Sequence, residues 1–402
     1  MSARGFEPPT IPQNFPRSYT PGSFLLNRQI PQIDVPDMYQ VHLIQCDLWE
    51  AITGEHLTPS SICSLCSPFV PYSTQNQTLI SAQYYHMAKD RQGCRYLQQK
   101  IDTCDPTERN VILNSLIPHL DDLVFDPSSN YVIQKLCEYL TEDAQKKFLQ
   151  FFLSDLQHVI DQQSSCRVLQ KFMEHTSSEN VDSIYKASMR SIVSMCSSPN
   201  GNHIVQRFIE ILPNRINEIV TILQPHVVNL VIDNSGCRVI QKLFDKYPLS
   251  NIRPLVDEVL SCADHLATNQ YGNYVVQSIL EFGTDTDFDI LLEKFAGAFY
   301  QFSIHKFASN VIEKCIRRAN SQQRNEIFNE IIGHEDEYEE ERIAKMVGDQ
   351  FGNYVIQRII EFGSESQQSA IYNVVYENYD ELVKRSYSKH VIIRLSNLGY
   401  EF

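Results

Sequence analysis

The sequence predicts an all-α solenoid, and three observations predict it. A five-residue pattern recurs eight times, starting at Cys94, Asn130, Cys166, Asn202, Cys237, Asn273, Ser309 and Asn353. The intervals between starts are 36, 36, 36, 35, 36, 36 and 44 residues, a constancy that composition alone does not produce. Within each unit the apolar residues follow helical spacing, with few stretches that suit a strand better. A fixed period of this length marks stacked supersecondary units, each packing only on its neighbours.

In order, the copies read CRYLQ, NYVIQ, CRVLQ, NHIVQ, CRVIQ, NYVVQ, SNVIE and NYVIQ. Turn-forming residues precede them: Asp126-Pro-Ser-Ser129, Asp161-Gln-Gln-Ser-Ser165, Asp233-Asn-Ser-Gly236, Asn269-Gln-Tyr-Gly272 and Asp349-Gln-Phe-Gly352. Such residues favour turns and helix N-caps. Further upstream lies a second apolar-periodic stretch, as in residues 117–125 and 219–230. Each unit therefore reads as two main helices with a short third helix or turn, repeated into a superhelix.

On a helix the pattern separates into two arcs. With Asn130 at 0° and about 100° per residue, Tyr131 falls at about 100° and Gln134 at about 40°. Val132, Ile133 and Leu136 fall at about 200°, 300° and 240°, toward the expected core. Positions one, two and five are thus expected to project from a shared face, once per repeat. Their chemistry is restricted. Position one is only Asn, Cys or Ser; position five is Gln seven times and Glu once; position two is Tyr, Arg, His or Asn. A face that merely meets solvent would drift among Lys, Glu, Ser and Asp. Flat side chains stack on nucleobases, and Gln, Asn, Ser and Glu hydrogen-bond base edges.

At these residues the chain resembles the Pumilio (PUF) family of sequence-specific single-stranded RNA-binding proteins. The resemblance covers residues 78–402 and is closest in SGCRVIQKL, YGNYVVQSI, HKFASNVIEKC and FGNYVIQRI. The segment Tyr387-Ser-Lys-His-Val-Ile is similar to that family's C-terminal capping half-repeat. Such a cap covers the apolar side that the last repeat would otherwise expose. The resemblance implies a right-handed superhelical α-solenoid, a crescent of eight three-helix repeats with capping half-repeats. It also implies one base read per repeat, with the RNA antiparallel to the chain.

In that family Asn with Gln is associated with uracil, Cys or Ser with Gln with adenine, and Ser with Glu with guanine. The guanine case has a direct cause: N1–H and N2–H₂ are adjacent donors, and a carboxylate only accepts. The resemblance implies U for Asn353 with Gln357, G for Ser309 with Glu313, U for Asn273 with Gln277 and A for Cys237 with Gln241. It implies U for Asn202 with Gln206, A for Cys166 with Gln170, U for Asn130 with Gln134 and A for Cys94 with Gln98. The expected element is 5′-UGUAUAUA-3′. The implied stacking residues are Arg95, Tyr131, Arg167, His203, Arg238, Tyr274, Asn310 and Tyr354. The implied role is binding to UGU-containing elements in mRNA 3′ untranslated regions and repression through recruited deadenylase or translational-control proteins.

Three departures qualify the pattern. The 35-residue interval between Asn202 and Cys237 leaves an eight- or nine-nucleotide register open. The 44-residue interval holds six carboxylates within residues 334–341, read either as a solvated loop or as a docking loop for a protein partner. Residues 1–77 do not follow the repeat and contain ten of the 18 prolines. Residues 1–36 are expected to be disordered, since seven prolines there prevent a long helix. Residues 37–77, with Trp49, are expected to form an N-terminal cap on the first repeat.

Composition narrows the remaining classes. The chain has 402 residues, 43% of them apolar, and a formal net charge of −15. That balance disfavours a non-specific polyanion binder and a polybasic membrane anchor. The opening MSARGFEPPT lacks the apolar core of a secretory leader, and no apolar run is long enough to span a membrane. The eleven cysteines are scattered, which fits free thiols in a reducing compartment, and the cytoplasm is the expected location. Cys63 and Cys66 form one C-x-x-C without the two further ligands that structural zinc needs. No nucleophile–base set or phosphate loop stands out, so no enzyme, cofactor or metal is expected, and a monomer is. A protein-binding scaffold would show eroded reading triplets. A ribosome-assembly relative would show more basic repeats with degraded pairs. The seven-residue windows starting at the eight patterns carry ten Lys or Arg and one acid, so the acidity lies off the reading strip.

Overall fold

The computed structural model describes residues 74–335 and 337–402. The segment 1–36, residues 37–73 of the expected cap, Trp49 and the Cys63/Cys66 pair lie outside the described residues. A helix, Thr74–Lys89, runs across the boundary drawn between residues 77 and 78.

Each repeat is three helices. In the fifth, the short helix Val227–Val231 leads into Gly236–Lys246, followed by Arg253–Ser261. The middle helix carries the pattern. We number these pattern helices α1 (Arg91–Thr103), α2 (Asn130–Cys137), α3 (Gln163–His175), α4 (Gly201–Ile211) and α5 (Gly236–Lys246). They continue as α6 (Gly272–Phe282), α7 (Ala308–Arg318), α8 (Gly352–Phe362) and, in the terminal half-repeat, α9 (Ser388–Asn397). Consecutive pattern helices pack against one another from α1 through α9, which makes the chain an α-solenoid. No helix among the described residues is long and apolar enough to cross a membrane.

The turn residues start these helices as expected in most repeats. Asp233 Oδ1 accepts from the Ser235 and Gly236 amides at 2.9 and 2.7 Å, and Asp349 and Asn269 do the same for α8 and α6. Such caps satisfy amides that have no partner inside the helix. Asp161 differs: it ends the short helix Leu156–Asp161 and accepts from Gln157, while Gln162 occupies the cap of α3 without a side-chain bond. The residue before the pattern is small because the short helix crosses it closely. A Cβ on Gly236 would meet the Leu230 carbonyl oxygen at 2.7 Å.

Positions three, four and seven of the pattern form the core. Val132, Ile133 and Leu136 in α2, and Val239, Ile240 and Leu243 in α5, are fully buried or nearly so. Phe148, Phe152 and Phe172 pack ring against ring between the second and third repeats. The 44-residue interval is not simply a loop. Gly333–His334 pairs antiparallel with Glu337–Tyr338, and Glu340 and Glu341 open the helix Glu340–Gly348. Gly333 has φ +91°, and a Cβ there would sit 2.5 Å from the Glu337 carbonyl oxygen. The glycine therefore makes the hairpin accessible.

A charge ladder also ties the repeats together. Lys135, at position six of α2, contacts Asp102 of the first repeat at 2.6 Å and Glu138 at the end of its own helix at 2.8 Å. Lys171 likewise joins Glu138 at 3.1 Å to Glu174 at 3.5 Å. Arg207 joins Glu174 to Glu210, and Lys242 reaches Glu210 at 2.5 Å. Each cation links the position-nine acid of the repeat before to that of its own, or to the first alone. Position six of α6 is Ser278, and among the described residues no ion pair joins Asp245 to the sixth repeat. The ladder resumes with Lys314 and Glu281 at 2.8 Å.

Candidate nucleic-acid interface

The structure grades the three reading positions by depth. All eight position-two residues are exposed, and all eight position-five residues are half-buried. Position one departs from the sequence expectation of free projection: Cys94, Asn130, Cys166, Asn202, Cys237, Asn273, Ser309 and Asn353 are all buried, at 4% exposure or less. Cys94 and Cys166 reach the turn of the following repeat, donating to the Ser128 and Asn200 carbonyls, and a buried position of this kind suits compact side chains.

In the Asn repeats the two reading side chains are locked together. The Asn130 Nδ2 donates to the Asp126 carbonyl at 2.7 Å, and its Oδ1 accepts from Gln134 Nε2 at 2.8 Å. The same pair of bonds recurs at Asn202 with Gln206, Asn273 with Gln277 and Asn353 with Gln357. The first bond sets which way the Asn amide faces, and the second sets the Gln amide. The Gln keeps its carbonyl oxygen and one N–H, an acceptor beside a donor at the groove floor. That edge complements uracil N3–H and O4.

The Cys repeats hold Gln more weakly. Gln98 Nε2 lies 3.1 Å from Cys94 Sγ and Gln170 Nε2 3.4 Å from Cys166 Sγ, and sulfur is a weak acceptor. The thiols stay neutral. Burial pushes Cys166 up to about 11 and raises Cys94 and Cys237 as well. Each S–H instead donates to a backbone carbonyl: Cys94 to Ser128, Cys166 to Asn200 and Cys237 to Asn234. Gln98 Nε2 also reaches the Cys94 carbonyl at 3.2 Å, so the Gln amide here rests on weak or backbone acceptors in place of an Asn side chain.

The exposed ladder alternates in type. Arg95, Arg167 and Arg238 accompany Cys, whereas Tyr131, Tyr274, Tyr354 and His203 accompany Asn. Desolvation lowers the His203 pKa, and the charges of Arg238, Arg167 and Arg207 lower it further. Arg167 and Arg238 belong to the repeats on either side, so consecutive position-two residues lie close enough to feel one another.

The seventh repeat is distinct. Ser309 is buried, Asn310 is exposed, and the Glu313 carboxylate accepts from Arg358 Nε of the eighth repeat at 3.1 Å. Sequence reasoning did not find this pair or the ladder it branches from. A signal was present, because cations at position six and acids at position nine share the period of the pattern.

A model of the Pumilio-family RNA-binding repeat matches eight stretches of the chain: 83–117, 119–150, 162–187, 191–220, 226–260, 263–295, 298–332 and 342–375. Over 318 residues the chain is 30% identical to Pumilio homolog 12 of Arabidopsis thaliana, across 78% of this chain and 52% of that protein. Over 252 residues it is 31% identical to Suppressor protein MPT5 of Saccharomyces cerevisiae, across 58% of this chain and 29% of that protein. The chain therefore spans about half or less of the length of these curated relatives. Among solved structures, PUF-8 in complex with PBE-RNA superposes with a TM-score of 0.70 at 28% identity, over 81% of this chain and 95% of that one. The Puf3 RNA-binding domain bound to the Cox17 RNA 3′ UTR recognition sequence site A superposes with a TM-score of 0.67 at 27% identity, over 85% and 99%.

Proposed function

The chain belongs to the Pumilio family of RNA-binding repeat proteins, and from that premise we propose that it reads 5′-UGUAUAUA-3′, one base per repeat, from the eighth repeat to the first. The eight complete reading triplets carry this proposal, and above all the locked Asn–Gln pairs at alternate repeats. Asn353, Asn273, Asn202 and Asn130 with their Gln partners take uracil. Cys237, Cys166 and Cys94 with theirs take adenine, and Ser309 with Glu313 takes guanine. The position-two residues stack between bases. The natural sites lie in mRNA 3′ untranslated regions, where the bound protein lowers translation or message stability by bringing corepressors. This is work for binding surfaces, and it requires neither a cofactor nor a metal.

A competition assay at one fixed salt tests the proposal, because phosphate contacts make affinity salt-dependent whatever the sequence. Labelled UGUAUAUA should bind more tightly than ACAAUAUA by at least a hundredfold, with each changed base costing about 1–3 kcal/mol. Equal affinity for the two would end the specific-reader reading. Selection from a random pool would then fix the register at eight or nine bases.

A further inference from the structure

We propose that Arg358 is a specificity-determining residue for the second base: it positions the Glu313 carboxylate as the acceptor that selects guanine. The inference rests on the base assignment above. Three observations carry it.

The first is contact. Arg358 Nε donates to Glu313 Oε2 at 3.1 Å across the boundary between the seventh and eighth repeats. The two side chains are only 15% and 19% exposed, so the pair is shielded from water. Arg358 is itself held: its Nη1 meets Glu361, which Arg394 of α9 also contacts at 2.9 Å. A carboxylate offers about four lone-pair sites on two oxygens. Arg358 uses one on Oε2 and leaves Oε1 and the rest for the adjacent N1–H and N2–H₂ of guanine. A Glu without such a partner would have to lose its rotamer freedom when the base arrives.

The second is the origin of the contact. In α2 to α5 the position-six cation binds the position-nine acid of the preceding repeat. In α7 position nine is Arg317, so the usual partner is replaced by a like charge. The position-six cation of α8 pairs with position five instead. Among the described residues, this is where the ladder meets the reading strip.

The third is charge. Glu313 is the one acid in the eight seven-residue windows, and it must face a polyanion. The guanidinium beside it offsets the repulsion between carboxylate and phosphates.

The test compares the native chain with Arg358→Met, which removes the donor. It also uses Arg317→Glu, which leaves Arg358 in place but restores the ladder acid that would draw it away. Affinities are measured for UGUAUAUA and for the same RNA with A or U at the second base, alongside thermal melting. Both variants should lower the preference for G by about tenfold, the scale of coupling inside one ion-pair network. Loss of fold stability alone would weaken all three RNAs equally. If the native chain prefers G and both variants keep that preference in full, this inference is overturned and the base assignment stands. If the native chain does not prefer G, the base assignment falls and the inference with it.

Discussion

Repeats one to five and repeats six to eight use the same positions of the same helix to different ends. In the first group the acid at position nine and the cation at position six form an unbroken series from Asp102 to Lys242. In the second group that series is interrupted twice, by Ser278 and by Arg317. The first interruption leaves a gap. The second leaves Arg358 paired with Glu313 at position five of the preceding repeat. Ion pairs of this exposure contribute little one at a time, so a solenoid tolerates the loss of a link and can reassign the freed side chain. The difference teaches that position in the repeat sets what a residue is near, while its neighbour in the adjacent repeat sets what it does.

The largest effect should come from removing what makes the seventh repeat different. Ser309→Asn combined with Glu313→Gln gives this repeat the same reading pair as its neighbours. The amide introduced at 309 would face the His305 carbonyl, as Asn273 faces Asn269. Preference at the second base should then move from G to U, by about 1–3 kcal/mol, the usual scale for a bidentate base contact. Binding to UUUAUAUA and UGUAUAUA measures it. An unchanged preference would mean that the assigned register or face is wrong.

The two groups also differed in how much the sequence disclosed. Period and helical architecture followed from the recurrence of Asn or Cys with Gln at fixed spacing, because every repeat imposes the same packing. The depth of position one did not follow. A helical wheel places Asn130 beside Tyr131 and Gln134 but knows nothing of tertiary burial, which leaves Asn130 only 2% exposed. The hairpin at Gly333 was also hidden, since a run of acids reads as solvated chain and the positive φ of one glycine has no periodic signature. The Glu313–Arg358 pair spans 45 positions and sits where Arg317 breaks a rule visible only once the helices are stacked.

A smaller effect should follow from cutting the ladder where it is continuous. Glu174 accepts from both Lys171 and Arg207, and its side chain is one quarter exposed. Glu174→Gln should lower the melting temperature by about 1–2 °C, corresponding to about 1 kcal/mol at most for a pair in partial contact with water. Base preference should not move at any position, because the ion pairs of Glu174 are with Lys171 and Arg207 at position six. A change in preference at the third or fourth repeat would show that the ladder tunes reading throughout and would erase the contrast between the two groups.

The smallest effect tests the gap. Ser278 sits at position six of α6, where α2 to α5, α7 and α8 carry Lys or Arg. A cation there would lie between Asp245 of the fifth repeat and Glu281 of its own helix, as Lys135 lies between Asp102 and Glu138. The carboxyl of Asp245 already titrates above its ordinary value, raised by burial against the opposing pull of Lys242. Ser278→Lys should therefore stabilise the fold by a few tenths of a kcal/mol up to about 1 kcal/mol, more at low salt than at high salt. Below the titration of Asp245 the gain should shrink, because a protonated carboxyl no longer attracts the new cation. Melting curves across salt and pH separate this from a simple rise in helix propensity, which would persist under both conditions. If the gain proves independent of salt and of pH, the gap between the fifth and sixth repeats is only a missing side chain, and the contrast reduces to Arg317.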